Sequence, residues 1–314
     1  MSKILTIGEI LVEIVATNRG NGFREAVPLI GPFPSGAPAI FIDQVGKLGQ
    51  ECAIISRVGD DDFGWVNINR LTEDGVDVSG IEVVPQGTTG SAFVRYREDG
   101  SRAFVFNIRH SACGEIELSE KTLALIDGCT HMHVMGTALY APSVVKSILT
   151  AVERIKAAGG TVSFDPNLRP EILDSPGMRE ALQTVLSVTD LFMPSGEELF
   201  LFAEARTEKE AVAELLAKGI KAIVIKRGEK GSSYFDKTTQ IDLEGYKVEE
   251  VDPTGAGDCF GATFVTFWLK GMHPAEALRY ANASGARAVT KAGPMEGAST
   301  QAELDALIKA QGQA

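Results

Sequence analysis

The sequence predicts an α/β fold with a mainly parallel central sheet, helices on both of its faces and a small β lid. Between residues 116 and 226, short apolar runs alternate with amphipathic segments of helix length. This rhythm is typical of parallel strands joined by right-handed helical crossovers. An alternating pattern over residues 88–107 predicts a β-hairpin, and a Gly-rich stretch at 252–258 predicts a loop that leads into a buried helix.

The first part of the chain supplies strands and helices in turn. A buried strand is predicted over residues 3–7, and a second extended segment over residues 10–16. Apolar residues at helical spacing follow at 40–49 and end at a glycine. A strand at 52–58 then leads through residues 59–64 into another helix.

Two carboxylates, Glu9 and Glu13, interrupt the apolar pattern near the second extended segment. They either face solvent on an edge strand or accept hydrogen bonds from a polyol at the C-terminal end of a central strand, where open α/β sheets bind ligands. The pattern leaves both alternatives open, so that Glu13 is a candidate sugar contact.

Three adjacent aspartates, Asp60, Asp61 and Asp62, stand where a helix is predicted to start. Acidic side chains are favoured there because they interact with the positive end of the helix dipole. Adjacent aspartates also suggest a metal site, but their spacing does not suit converging ligands. The pattern therefore favours a capping role.

The predicted hairpin pairs residues 92–97 with residues 102–107 across a turn at Asp99-Gly100. We expect this hairpin to extend from the main sheet as a flap. Arg109 follows it in the sequence, either as a surface arginine or as a residue that reaches a substrate or phosphate from the flap.

Polar residues cluster at the ends of several predicted strands in the second half of the chain. These strands span 130–135, 160–165, 191–193 and 222–226, and the helices between and around them span 142–158, 177–188 and 209–218. The polar clusters lie at 165–169, 194–198 and 226–231. Because parallel strands end along one edge of a sheet, we expect these clusters to converge with the Gly-rich stretch on one crevice.

The Gly-rich loop, residues 252–257, is followed by Asp258. Gly255 and Gly257 let backbone N–H groups turn toward one point, and the helix start adds donors and a positive dipole end. A phosphoryl group suits such a site, and Asp258 is then placed to take a proton from an attacking hydroxyl. The alternatives are a tight turn with a dipole-stabilising aspartate, and a dinucleotide fingerprint, which the GxGxxxG spacing disfavours.

The composition excludes several classes of function. The formal net charge of −12 argues against binding nucleic acid or an anionic membrane through overall charge. Four cysteines without CxxC spacing predict buried, reduced thiols rather than a zinc site or disulfides. The first residues lack a charged leader followed by a long apolar segment, and no apolar run reaches about 18 residues. We therefore expect a soluble, cytoplasmic protein.

Two segments resemble the signatures of the PfkB/ribokinase family of carbohydrate kinases, and the resemblance covers nearly the whole chain. Residues 252–260 match the family's D-T-x-G-A-G-D pattern closely, and residues 35–64 are similar to its N-terminal signature. The chain departs from the family pattern at Ser35, where a glycine is usual, and at Ile40 and Ser195, where asparagines are common. The asparagine usual at position 40 contributes to the sugar pocket in relatives, so Ile40 departs from a ribokinase-like sugar contact.

The resemblance implies an ATP-dependent sugar kinase with a ribokinase-like fold. It implies a single domain over residues 1–314, with lid segments at 10–35 and 88–112. Asp258 would take the proton of the sugar hydroxyl. The backbone N–H groups that would form the anion hole for the transferred phosphoryl group belong to Gly255, Ala256 and Gly257.

Nucleotide and metal ligands also follow from the resemblance. Glu198 would act on Mg²⁺ through water, and Asn167 would help to hold phosphates and metal. Asp252 would anchor the monovalent cation, K⁺, that lies beside the anion hole in several relatives. The residues that would border ATP are Lys226, Gly228, Gly231 and, near the adenine, Asn282.

The resemblance implies that Gly36 and Glu13 face the sugar and that two subunits pair through their lids. The blocks at 31–41 and 107–113 look like a subgroup of tagatose kinases, which implies a ketohexose such as tagatose or fructose. An alternative is a 2-keto-3-deoxygluconate kinase, in which Arg109 would pair with the carboxylate of a sugar acid. A ribokinase and a non-catalytic nucleotide or sugar sensor are the remaining alternatives.

Overall fold

The computed structural model describes residues 2–20, 23–99, 101–168 and 177–312, which form a nine-stranded and a four-stranded sheet. From edge to edge, the strands of the large sheet are β13 (Gln240–Leu243), β12 (Ser232–Phe235), β11 (Ala222–Lys226), β10 (Leu191–Phe192), β9 (Thr161–Asp165), β8 (His131–Met135), β1 (Ile4–Ile7), β4 (Cys52–Gly59) and β5 (Asp77–Val84). Neighbours from β11 to β5 pair in parallel, whereas β12 and β13 pair antiparallel. The predicted mainly parallel sheet is confirmed.

Successive side chains of the central strands enter two different hydrophobic cores. Ile4 and Val224 belong to one core, and their neighbours Leu5 and Ile223 belong to the other. A strand buried on both faces is apolar at most positions, which explains the long apolar runs in the sequence.

Helices cover both faces of the large sheet, as predicted. The helices of the first face are α1 (Ala37–Lys47), α2 (Asp62–Glu73), α7 (Ala256–Leu269), α8 (Pro274–Ala288) and α9 (Gln301–Ala310). Those of the second face are α3 (Glu120–Asp127), α4 (Pro142–Ala157), α5 (Met178–Ser187) and α6 (Glu208–Ala217).

The four-stranded sheet, which we call the lid sheet, is separate from the large sheet. Its strands, in spatial order, are β3 (Leu29–Ser35), β2 (Leu11–Ala16), β6 (Gly90–Tyr96) and β7 (Arg102–Asn107). Strands β6 and β7 form the predicted antiparallel hairpin, although Gly100 of its turn lies outside the described residues. The expectation that the hairpin extends from the main sheet is wrong, because β6 pairs in parallel with β2.

The chain leaves the large sheet for the lid sheet immediately after β1. A Cβ atom at Gly8 would lie 2.5 Å from Cγ of Pro38, so only glycine permits this close approach of β1 and the start of α1. The segment that precedes α9 is hydrogen-bonded to α1. The side-chain amide of Gln44 donates to the carbonyl oxygen of Ser299 and accepts from its N–H, both at 2.8 Å.

The predicted capping role at the start of α2 is confirmed for Asp61. Its side chain accepts a hydrogen bond from the N–H of Gly64 at 2.8 Å and also binds the N–H and hydroxyl of Thr89. Nowhere in the described ranges do three or more His, Cys, Asp or Glu side chains converge in a metal-binding group.

Two further sequence predictions concern the cysteines and the membrane. All four cysteines are buried free thiols, which agrees with the prediction. In the part of the chain that the structure describes, every helix is too short or too polar to cross a membrane.

Candidate active site

The Gly-rich loop ends where α7 begins. Gly255 has φ of +82°, and a Cβ atom there would collide with the carbonyl oxygen of Pro294, so that this position requires glycine. The first helical hydrogen bond runs from the N–H of Cys259 to the carbonyl oxygen of Gly255 at 2.8 Å. The N–H groups of Ala256, Gly257 and Asp258 precede this bond, as expected for the donors at a helix start. This geometry suits an anion.

Asp258 lies in the first turn of α7, and its side chain is buried. The amide nitrogen of Asn167, just beyond the end of β9, donates a hydrogen bond to Oδ1 of Asp258 at 3.0 Å. Asn167 adopts φ of +39°, a left-handed conformation that asparagine tolerates better than most residues. This contact unites two of the predicted polar clusters at one point.

Lys226, at the end of β11, forms an ion pair with Asp165 at the end of β9. Burial raises the pKa of Asp165 to about 6, and the nearby Lys226 ammonium group opposes this rise. Burial lowers the pKa of Lys226, but the carboxylates of Asp165 and Glu198 outweigh burial and hold it above its ordinary value. Both members of the pair are therefore charged at neutral pH.

Glu198 is held by two backbone N–H groups at the ends of neighbouring strands. Leu168 donates to one carboxylate oxygen and Ser195 to the other, each at 2.7 Å. Ser195 thus fixes Glu198 through its backbone, which does not depend on the asparagine usual in the family. A carboxylate held in this way is oriented toward the crevice of Asp165 and Lys226, with which it interacts electrostatically.

A cavity of about 300 Å³ adjoins Asp258 and lies between the lid sheet and the large sheet. Its lining comprises Glu9, Leu11, Glu13, Ser35, Gly36, Ala37, Ile40, Phe106, Ile108, Arg109, Thr137, Tyr140, Thr254 and Asp258. All four predicted substrate contacts, Glu13, Gly36, Arg109 and Asp258, are brought together here. We call this space the acceptor cavity.

Glu9 and Glu13 are buried, with 4% of each residue exposed, so the solvent-facing alternative is wrong. The hydroxyl of Thr137 donates to Glu9 at 2.7 Å, and the hydroxyl of Ser35 contacts Glu13 at 3.2 Å. Both carboxylates face the acceptor cavity because β2 turns away from the large sheet at Gly8. Arg109 remains largely exposed at the cavity's rim.

The other predicted nucleotide residues lie beyond Lys226, in the turn from β11 to β12. Gly228 and Gly231 both have positive φ, +59° and +97°. Asn282 of α8 accepts a hydrogen bond from Ser232 at 2.9 Å and donates to the carbonyl oxygen of Glu244 at 3.2 Å. This pair of contacts places Asn282 beside the glycine turn and outside the acceptor cavity.

Asp252 is buried at the start of the Gly-rich loop and is not among the residues that line the acceptor cavity. One carboxylate oxygen accepts from the N–H of Thr254 at 3.0 Å, and the other accepts from the N–H of Gly293 at 3.2 Å. Asp252 therefore anchors the loop to the segment before α9, whereas Asp258 faces the cavity.

Sequence reasoning missed several lining residues. Thr137 and Tyr140 follow the end of β8, so the rule that ligands bind at strand ends could have found them. Thr254 stands inside the recognised motif. Phe106 belongs to the predicted hairpin and Ile108 follows it, but only the pairing of β6 with β2 brings them to the cavity.

The α/β fold and the site together define the class of protein, a phosphoryl-transfer enzyme. Comparisons with known proteins give its family. The model of the pfkB family carbohydrate kinases matches residues 1–301. Fructokinase-1 of Zea mays is 32% identical over 317 residues, which cover 98% of this chain and 97% of the relative.

Two solved structures extend the comparison. A protein of E. coli assigned as ribokinase II, in complex with ATP and Mg²⁺, has a TM-score of 0.93 and 49% identity, and the match covers 99% of this chain and 100% of that one. A double mutant of the fructokinase of Vibrio cholerae O395, with fructose, ADP and potassium ion bound, has a TM-score of 0.82 and 27% identity, with 98% of each chain covered.

The chain belongs to the PfkB family of carbohydrate kinases. It is an ATP-dependent phosphotransferase that acts on a sugar hydroxyl, with a ribokinase-like fold. This assignment confirms the family resemblance of the sequence and sets aside the non-catalytic sensor.

Proposed function

We propose that this kinase transfers the γ-phosphoryl group of ATP to a neutral ketohexose, and that fructose is the first sugar to test. The observation that carries the proposal is the acceptor cavity, in which Asp258 is joined by the buried carboxylates of Glu9 and Glu13. Carboxylates accept hydrogen bonds from hydroxyl groups, so this lining suits a polyol. The fructokinases among the relatives support the choice of sugar.

The charge of the cavity favours a neutral sugar over a sugar acid. Glu9, Glu13 and Asp258 place three carboxylates around the ligand against the single guanidinium of Arg109. Two like charges 4 Å apart repel by about 4 kcal/mol at an effective dielectric constant of about 20. Arg109 is the observation that favours the second candidate, a 2-keto-3-deoxy sugar acid, because it could pair with a carboxylate at the rim.

In the proposed mechanism, Asp258 accepts the proton of the sugar hydroxyl that attacks the phosphoryl group. The N–H groups of Gly255, Ala256 and Gly257 stabilise the charge on the transferred group, with the positive end of the α7 dipole behind them. Asn167 orients the base through its hydrogen bond to Asp258. Phosphoryl transfer asks mainly for positioning and charge stabilisation, which fixed donors supply.

The nucleotide end of the site would lie along Lys226 and the turn at Gly228 and Gly231. A Cβ built on Gly257 would be 3.8 Å from Nζ of Lys226, so the ammonium group lies beside the Gly-rich loop. Asn282 adjoins this turn and would lie near the adenine.

Glu198 would bind Mg²⁺ through water, with Asn167 nearby. Mg²⁺ commonly keeps several waters and uses one or two carboxylates plus substrate phosphates, and a carboxylate oriented by two N–H groups fits this pattern. When bound, the ion would neutralise phosphate charge. Asp252 would anchor K⁺ beside the loop, and its buried carboxylate supports this proposal.

Pairing of two copies through the lid sheets remains a proposal. Leu29 and Ile30 of β3 and Val105 of β7 are large apolar side chains that are about half exposed on this sheet. Burying such side chains would favour association. A molecular mass for a single chain in solution, measured by light scattering, would contradict it. The cytoplasmic location likewise stays a prediction from the sequence.

The test is an assay of ATP consumption on ketohexoses, pentoses and 2-keto-3-deoxy sugar acids, with K⁺ or without monovalent metal ions. We expect the highest kcat/KM on a ketohexose and a lower rate without K⁺. In Asp258→Asn, kcat should fall by about 10²–10⁴-fold because the base is lost, whereas ATP binding measured by calorimetry should persist. Asp62→Asn is the control, since Asp62 also lies in the first turn of a helix but is exposed.

Different results would contradict different parts of the proposal. Turnover of a sugar acid in preference to every neutral sugar would replace the ketohexose by the second candidate. Near-normal turnover by Asp258→Asn would remove Asp258 from the role of base.

A further inference from the structure

The lid sheet contacts the Gly-rich loop directly through two side chains. Nη1 of Arg102, at the start of β7, donates to the hydroxyl of Thr254 at 2.8 Å. The hydroxyl of Tyr96, at the end of β6, lies 3.4 Å from Oδ1 of Asp252. Neither residue lines the acceptor cavity as the structure describes it, and neither has a role in the mechanism above.

The two contacts are made by residues that are paired with each other across the hairpin. Tyr96 and Arg102 are opposite each other in the antiparallel pairing of β6 and β7, so both belong to one end of the hairpin. The phenol of Tyr96 donates its hydrogen bond to the carboxylate of Asp252. The end of the hairpin thus presents two donors to two acceptors of the loop.

On its other side, the loop is held by the segment that precedes α9. Asp252 accepts from the N–H of Gly293, and Gly255 packs against the carbonyl oxygen of Pro294. The lid contacts therefore complete a clamp around the residues whose N–H groups would bind the phosphoryl group. Without them, Thr254 and Asp252 would be held from one side only.

A row of side chains connects this clamp to the acceptor cavity. Arg102, Phe104 and Phe106 alternate along β7 and so share one face of the strand. The guanidinium of Arg102 lies 5.8 Å from the centroid of the Phe104 ring, and the rings of Phe104 and Phe106 stack with centroids 5.2 Å apart. Phe106 lines the acceptor cavity. The strand that would contact the sugar at one end therefore contacts the loop at the other.

We propose that Arg102 and Tyr96 are positioning residues through which the lid sheet holds the Gly-rich loop in its phosphoryl-binding geometry. The inference rests on the proposed role of the loop as the phosphoryl site. It assigns to the lid a second task beyond covering the sugar: alignment of the N–H donors with the transferred group. Such alignment acts on the transition state, so its loss should lower kcat more than it raises KM.

The test compares Arg102→Met with Arg97→Met in the full-length enzyme. Arg97 lies in the same hairpin but is exposed, with Ser101 as its side-chain partner. For Arg102→Met we expect kcat to fall about tenfold, equivalent to about 1.4 kcal/mol, with both KM values changed by less than about threefold. Tyr96→Phe should show a smaller loss in the same direction, and Arg102→Lys should restore part of kcat.

A double-mutant cycle with Thr254→Val identifies the contact responsible. If Arg102 acts through Thr254, the double variant should be no slower than the slower single variant. Hydrogen exchange of the peptide that contains residues 252–257 gives a readout that needs no sugar. Exchange in this peptide should be faster in Arg102→Met than in Arg97→Met.

Two results would overturn the inference. One is equal kcat and equal exchange in Arg102→Met and Arg97→Met. The other is a cycle in which the losses from Arg102→Met and Thr254→Val multiply. A wild-type enzyme inactive on every ketohexose would instead refute the proposed sugar, and hydrogen exchange would still decide the role of Arg102.

Discussion

At the scale of single residues, the site is a set of charges held by neighbouring strands. The ammonium group of Lys226 is mostly buried, with 15% of its side chain exposed, and its partner Asp165 is completely buried. Taking two charges out of water costs several kcal/mol for each ion, and mutual attraction offsets this cost only while both partners are present. The pair is therefore sensitive to the loss of either member.

Lys226→Met should lower the free energy of unfolding by about 3–5 kcal/mol, because Asp165 would remain as an unpaired buried charge. Urea unfolding monitored by circular dichroism measures this change. The double variant Lys226→Met/Asp165→Asn should be more stable than the single variant. Equal stability of the two would show that the buried charge of Asp165 is not the cause.

At the scale of elements, a side chain at the start of α2 joins that helix to the lid sheet. Asp61 binds the N–H of Gly64 in the helix and both the N–H and hydroxyl of Thr89, which precedes β6. These hydrogen bonds to the charged form lower the pKa of Asp61 against the effect of burial, the largest single influence. One carboxylate thus fixes a helix start and the entry to the hairpin.

Asp61→Ala should lower the free energy of unfolding by about 1–2 kcal/mol, the typical cost of losing an N-terminal capping side chain. Its neighbour Asp62 is exposed and interacts with the helix dipole only, so Asp62→Ala should cost less than about 1 kcal/mol. Thermal unfolding of the two variants side by side measures the difference. Equal costs would mean that the cap and the Thr89 contacts contribute nothing beyond the dipole.

Most elements could be predicted from local pattern, because strands buried on both faces and amphipathic helices leave strong periodic signals. The strand at 222–226 was predicted with the bounds that β11 has, and α4 differs by one residue at its end. Helix α3 was missed because only Thr122 and Ile126 of it are buried, which leaves little periodicity. A small β lid was expected, but the pairing of β2 with β6 was missed because it joins residues far apart in sequence.

The site was predicted to the extent that it depends on strand ends. Asp258 and Asn167 meet as the convergence argument required, since both follow from the parallel order of the strands. The position of Glu9 and Glu13 remained open because it depends on where the chain leaves the large sheet. The contacts of Arg102 and Tyr96 depend on the distance between two sheets, which no local pattern reports.

At the scale of the whole molecule, the large sheet contains a chain of buried polar side chains. His131 and His133 of β8 share the hydroxyl of Ser163, each at 2.8 Å, and His131 also binds Thr161 at 2.7 Å. Burial lowers the pKa of His131 to about 3 and that of His133 well below its usual value. Both rings are neutral in the folded protein.

Stability should fall as the pH is lowered, because the unfolded chain binds protons at these histidines near pH 6.5 and the folded protein does not. Each histidine contributes a slope of up to about 1.4 kcal/mol per pH unit below that value. In His131→Gln, the slope of unfolding free energy between about pH 4 and 6 should decrease by up to this amount.

The raised pKa of Asp165 opposes this slope, since the folded state binds that proton more tightly. Asp165 is present in both the wild type and His131→Gln, so its contribution to the slope cancels when the two are compared. The exposed His110 provides the control, and His110→Gln should leave the slope unchanged. An unchanged slope in His131→Gln would contradict the prediction.

The contact between Gln44 and Ser299 can form only late in the synthesis of the chain. The two residues are 255 positions apart, which corresponds to about 13–50 s of translation at about 5–20 residues per second. During that interval α1, which carries Gly36 and Ile40 to the acceptor cavity, lacks both its partner at Ser299 and the cover of α7. The part of the apolar face of α1 that packs against α7 therefore lacks its partner until α7 has been synthesised.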